Sequence, residues 1–108
     1  MEKAGDQIYS NHILEAIKDI EYFTQNMSFG EFVKDKKTHI AVTRELEIIG
    51  EAAKRLSEEF KEKHAKIPWR KVAGMRDFLA HDYMKVDLKE VWKSAKEDII
   101  DLKQTLVE

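Results

Sequence analysis

Two stretches of this chain repeat the same apolar spacing, and that repetition restricts the fold more than any other feature. Val42, Leu46, Ile49, Ala53, Leu56 and Phe60 follow one another at intervals of 4, 3, 4, 3 and 4, and so do Leu88, Trp92, Ala95, Ile99, Leu102 and Leu106. Such spacing places one stripe along an α-helix and is incompatible with the alternation of a strand. Ala41, Ile48 and Ala52 widen the first stripe beyond a narrow coiled-coil seam, which favours packing inside a bundle over a partner-binding helix.

The remaining elements follow from the same reading. A first helix is expected from about Asp6, as N-cap, to about Gln25, with Tyr9, Ile13, Ala16, Ile17, Ile20 and Phe23 on its inner face. Ser28 and Glu31 have capping-box spacing and open a short second helix containing Phe29, Phe32 and Val33. Lys34 to Thr38 reads as a polar connection or as the first turn of the next helix. The third helix is expected from about Lys37 to Lys63; at ~1.5 Å per residue it would be nearly 40 Å long, an excess that a second subunit could cover. Pro68 suits the first position of a fourth helix, in which Gly74 hints at close backbone approach. Asp87 and Glu90 cap a fifth helix reaching about Val107. The expected fold is all-α, an antiparallel bundle of about five helices in a single domain spanning 1–108.

Composition narrows the chemistry. There is no cysteine, which excludes disulfides, thiolate metal cages and thiol nucleophiles. His12, His39 and His64 are scattered without metal-binding helical spacing, so neither a metal nor a cofactor is expected, and each reads as a surface or interhelix residue. No window approaches the ~18 apolar residues of a membrane span, and a cytoplasmic, soluble protein is expected. The net charge of −2 is no global nucleic-acid signature. Its distribution is uneven, however: Lys61, Lys63, Lys66, Arg70, Lys71 and Arg76 face only Glu62 within residues 61–76. This run is either a solvated face or a phosphate-binding one, with Lys66, Arg70 and Lys71 the candidates for RNA.

The run leads into Arg76-Asp77-Phe78-Leu79-Ala80-His81-Asp82-Tyr83, the stretch with the most chemistry. An arginine fork matches two phosphate oxygens and keeps its charge, and histidine is the side chain suited to moving a proton near neutral pH. Asp77, four residues before His81, is placed to orient the ring. On a continuous helix Arg76 and His81 would diverge by about 140°, so both reach one substrate only if the helix unwinds near Ala80 to Asp82 or if two copies face each other across a dimer interface. RNA carries its own 2′-hydroxyl nucleophile, so these groups suit metal-free phosphodiester chemistry. The structural alternative is a surface salt bridge of Asp77 with His81 or Arg76, with Tyr83 a half-buried anchor. Trp69 and Trp92 read as core residues, although Trp69 among basic residues could stack a base.

These residues resemble the R-x4-H-x-Y signature of the HEPN superfamily, and specifically the HepT-like toxins. The similarity extends to Glu47-Ile48-Ile49-Gly50-Glu51-Ala52-Ala53-Lys54, to Ile67-Pro68-Trp69-Arg70-Lys71-Val72-Ala73-Gly74-Met75-Arg76, and to Val86-Asp87 and Val91-Trp92. The resemblance implies a helical bundle that homodimerises around paired motifs and a metal-independent ribonuclease. Arg76 would bind and polarise the scissile phosphate, and His81 would act as acid or base. It further implies a toxin–antitoxin pair whose minimal nucleotidyltransferase adds AMP to the motif tyrosine, here Tyr83. Members often carry asparagine after the motif arginine, whereas this chain has Asp77. A non-catalytic helical module that docks a nucleotidyltransferase or binds nucleotide is the competing expectation, and a purely structural helical protein is a third.

Overall fold

Ile13, Ile17, Ile20 and Thr24 lie 4, 3 and 4 apart, and their side chains are the enclosed face of the first helix. The computed structural model describes residues 4–76 and 86–107. Among these, α1 (Ala4–Thr24), α2 (Phe29–Lys34), α3 (Lys36–Arg55), α4 (Glu58–Lys63) and α5 (Trp69–Ala73) are followed by a 3-10 turn at Gly74–Arg76. After residue 86 come α6 (Leu88–Lys93), a π-helical turn at Ser94–Asp98 and α7 (Ile99–Val107). The fold is all-α, and no strand occurs among the described residues.

The principal layer is α1 on α3, with α5, its 3-10 turn and the C-terminal helices closing the remaining sides. The pair runs antiparallel: Asp6 at the start of α1 meets Ser57 beyond the end of α3, while Asp19 farther along α1 meets Glu45 farther back on α3. Phe32, Val42, Leu46 and Ile49 from α2 and α3 join the α1 isoleucines in one core with Val91, Ile99 and Leu102. Each such side chain contributes roughly 1.5–3 kcal/mol by leaving water. Trp92 is half-buried against this core, its ring 4.9 Å from that of Phe32. No helix among the described residues is long and apolar enough to cross a membrane.

Five expectations require correction. Phe23 is not a core residue: it is 37% exposed, and the inner stripe continues at the fully enclosed Thr24. The Thr24 hydroxyl tolerates that burial because it donates to the Ile20 carbonyl at 2.8 Å. The third helix is not continuous either. Leu56 adopts extended geometry (φ −66°, ψ 144°), and Ser57 starts α4 by accepting the Phe60 N–H at 3.1 Å. The 20 residues of α3 span only about 30 Å, so helix length no longer calls for a covering subunit.

Asp6 is not an N-cap of α1. It lies inside that helix, buried, and accepts the Ser57 N–H at 2.8 Å and the Ser57 hydroxyl at 2.6 Å. The carboxylate therefore holds the α3–α4 break from the neighbouring helix. Finally, among the described residues Gly74 makes no close approach: a Cβ there would meet no described heavy atom within 4 Å. Its residue instead begins the tighter turn, and Pro68 stands one place earlier than expected, as the N-cap of α5.

The capping box at α2 forms as its spacing predicts, with Ser28 N–H on Glu31 Oε1 at 2.9 Å and Glu31 N–H on Ser28 Oγ at 3.1 Å. The Ser28 backbone N–H first, and the Ser28 side chain after it, hold the Glu31 carboxyl below its usual value. The Lys34 to Thr38 connection reduces to Asp35, which ends α2 with its N–H and caps α3 by accepting the Thr38 N–H at 3.0 Å. Asn26, with φ 58°, turns the chain out of α1, a conformation asparagine tolerates better than most residues.

Candidate functional site

The approach to the motif is built from two short helices that brace each other. α4 has six residues and α5 five, lengths at which a helix does not hold itself and depends on tertiary contacts. Trp69 supplies one contact. Its indole N–H is shared by the carbonyls of Lys61 and His64, each at 3.1 Å, so it satisfies acceptors at the end of α4. Its ring also meets Phe60 edge-on with centroids 6.1 Å apart. Trp69 is thus a half-buried brace between helices, and its polar atom is committed to them.

Val72 and Met75 anchor the other side of α5 in the core, and the chain then tightens into the 3-10 turn that ends at Arg76. This tightening comes before the Ala80 to Asp82 region where unwinding was expected. The backbone of Arg76 closes the turn, but its side chain, together with all of Asp77, His81 and Tyr83, lies outside the described residues.

The three basic candidates separate. Lys66 and Arg70 are exposed. Lys71 is also exposed but reaches Asp98 of the π turn, Nζ to Oδ1 3.2 Å, while the second Asp98 oxygen accepts from Ser94 Oγ at 3.1 Å. A cleft of about 260 Å³ lies beside this pair, with Ile67, Val72, Met75 and Leu102 as its apolar lining and Glu97, Asp98 and Asp101 as its acidic one. The basic run is therefore bordered by acid on the C-terminal side, and Lys71 stands on the border. Neither Asp98 nor Ser94 was singled out by sequence. The signal available was slight: Val91, Ala95 and Ile99 are four apart, a spacing that leads by about 40° per step on a regular helix. A wider turn takes back part of that lead, and here Ile99 N–H bonds the Ser94 carbonyl five residues earlier.

The scattered histidines sit at separate helix contacts. His12 meets Tyr9, His39 meets Phe32, and His64 stacks 4.5 Å from Phe60. No group of three histidine, aspartate or glutamate residues among the described ones is placed to hold a metal ion.

A second polar feature lies between α1 and α3. Here Asp19 and Glu45 face each other beside His12 and Glu15 in a shallow cleft of about 160 Å³. Glu45 Oε2 is shielded from solvent and receives no hydrogen bond. Burial, the Asp19 carboxyl as hydrogen-bond partner and its charge push Glu45 up to about 7, against a smaller opposing effect of Arg44.

The family described as ribonuclease HepT-like matches residues 13–108, and the chain belongs to that family, a HepT-type branch of the HEPN proteins. It is 50% identical over 101 residues to a protein named probable ribonuclease HepT from Thermococcus cleftensis, covering 94% of this chain and 92% of that one. Two further relatives, provisionally named RNases, are 42% identical to it. The one from Caldanaerobacter subterraneus subsp. tengcongensis matches 93% of this chain and 89% of its own length, and the one from Methanocaldococcus jannaschii matches 96% and 86%. No solved structure matches the chain.

Proposed function

We propose that this chain is a metal-independent endoribonuclease and the toxin of a toxin–antitoxin pair. The observation that carries the reading is the presence of Arg76, His81 and Tyr83 in R-x4-H-x-Y order within the span matched by a ribonuclease family. The names of its relatives as ribonucleases support the substrate class.

In this reading residues 1–108 act as one domain in the cytoplasm, and two copies pair so that their motifs share a cleft. The guanidinium of Arg76 grips the scissile phosphate and stabilises charge developing on its oxygens. The 2′-hydroxyl of the preceding ribose attacks phosphorus, the bond to the 5′-oxygen breaks, and His81 moves the proton between them. The products are a 2′,3′-cyclic phosphate and a 5′-hydroxyl. Asp77 orients His81, while exposed Lys66 and Arg70 follow the RNA backbone and Lys71 joins them only by leaving Asp98. A minimal nucleotidyltransferase antitoxin would silence the site by transferring AMP from ATP to the Tyr83 hydroxyl, with pyrophosphate as the leaving group, since bulk and negative charge two residues from His81 obstruct and repel RNA.

The test is to incubate purified, unmodified protein with total RNA in excess EDTA beside His81→Ala and Arg76→Ala. Cyclic phosphate ends are expected from the parent, with each variant slowed by about 10² or more. Equal cutting by both variants rejects the assignment. One observation favours a second reading, a module that docks a nucleotidyltransferase without cleaving: acid stands beside the motif in Asp77 and close to it in the Lys71–Asp98 pair. Co-purification with such a partner, with no cutting at high protein concentration, would select it.

A further inference from the structure

The turn at Gly74–Arg76 is the last described backbone before the motif, and a polar tether links the helix leading into it to the C-terminal segment. Lys71 lies on α5, five residues before Arg76, and Asp98 closes the π turn 27 residues farther along the chain. The two ends of the tether are unequal. The Asp98 side chain is 15% exposed, the Lys71 side chain 57%. Ser94 holds one Asp98 oxygen, leaving the other aimed at the lysine. The carboxylate is the anchored member, and the lysine is the one that is held.

An ion pair as open as this adds little to global stability. Its effect on a short element is another matter. α5 and its 3-10 turn together have eight residues, so their geometry is set by what they touch. Val72 and Met75 fix one face in the core, and the Trp69 indole N–H ties the start of α5 to the end of α4. The Lys71–Asp98 bond supplies direction on the adjoining face. Here lies a second cleft of about 200 Å³, lined by Lys71, Gly74, Met75, Glu90, Ser94 and Asp98. π turns are uncommon and concentrate at functional sites, which suits one whose closing residue makes this contact.

We propose that Asp98, steadied by Ser94 in the π turn, is a positioning residue that acts through Lys71 to fix the turn ending at Arg76. Its catalytic consequence rests on the ribonuclease reading; its structural consequence does not. The alternative role for Lys71, a ligand for RNA phosphate, predicts different numbers.

The experiment compares Lys71→Met, Asp98→Asn and Ser94→Ala with Lys71→Arg, which keeps a cation in reach. Amide hydrogen exchange at Gly74, Met75 and Arg76 is measured alongside kcat and KM for RNA cleavage and the melting temperature. Lys71→Met and Asp98→Asn are expected to exchange about fivefold faster there, with Ser94→Ala showing a smaller increase and Lys71→Arg staying near the parent. In RNA cleavage the first two lose about tenfold in kcat at KM within about twofold, a split that general loss of RNA affinity does not produce. Unchanged exchange overturns the proposal, and so does a rise in KM for Lys71→Met paired with a fall for Asp98→Asn, the signature of a phosphate ligand. If the parent cuts no RNA, the ribonuclease reading fails while the exchange rates still decide the role of Asp98. Should Asp98→Asn lose its fold, Lys71→Met, altered on the exposed side of the bond, carries the comparison.

Discussion

Two acids sit on the same antiparallel pair of helices, and they are treated in opposite ways. Asp6 of α1 is buried but receives two hydrogen bonds from Ser57, one from N–H and one from the hydroxyl. Glu45 of α3 is less buried, yet it faces another carboxyl, that of Asp19, and one of its oxygens has no donor. Burial alone does not decide whether a carboxylate stabilises a helix contact. What decides is whether the groups opposite it donate or also accept.

The contrast is broken most severely at Asp6. Asp6→Ala leaves the Ser57 N–H without its acceptor at the α3–α4 break, and a loss of about 2–4 kcal/mol is expected in denaturant unfolding. A loss below 1 kcal/mol would mean that the break is held by something else.

At Glu45 the sharper probe is pH. Its folded-state value, about 7, is raised above the 4.5 of the free side chain, so between those values the folded chain keeps a proton that the unfolded chain releases. Stability is therefore expected to fall as pH rises through that window and to level off above it. Because the site is partly open to solvent, the fall should be about 1–2 kcal/mol, smaller than the shift alone implies. Glu45→Gln keeps a donor toward Asp19 and has no proton to lose, so its melting temperature should change less between pH 5 and pH 8 than that of the parent, overtaking it at the upper end. Parallel melting curves for the two proteins would remove Glu45 from this account.

A smaller effect than that of Asp6→Ala is expected of Ser57→Ala, about 1–2 kcal/mol, since the cap on the Phe60 N–H and the hydroxyl bond to Asp6 are lost but Asp6 still receives the Ser57 backbone N–H. If it matched Asp6→Ala, the hydroxyl and not the carboxylate would be the centre of the contact.

Much of this architecture is readable in the sequence alone. The apolar period located the helices because residues three and four apart share a face whatever lies beyond them. The Ser28–Glu31 box was readable for the same reason, its two ends being three residues apart. Period also misled. Leu56 and Phe60 keep the stripe in step across the break, so the pattern ran on through a chain that had stopped being helical, and only Ser57 followed by Glu58 and Glu59 marked a new N-terminus. The π turn was hidden in a similar way, since the apolar series from Leu88 to Leu106 fits a regular helix almost as well.

At the candidate site the residue types were readable and their partners were not. Arg76, His81 and Tyr83 stand out by identity and order, while Lys71 looked like its basic neighbours until Asp98 was found beside it.

By itself, then, the sequence determined the all-helical architecture, most of the core and the family signature, because those are written in intervals of a turn or two. Only the tertiary structure decided which charges are paired, which carboxyl keeps its proton and which lysine is already engaged. Those outcomes depend on distances between groups 51 residues apart for Asp6 and Ser57 and 27 apart for Lys71 and Asp98. Electrostatic energy follows separation in space and exposure to water, and neither is encoded at the scale on which helical periodicity is read.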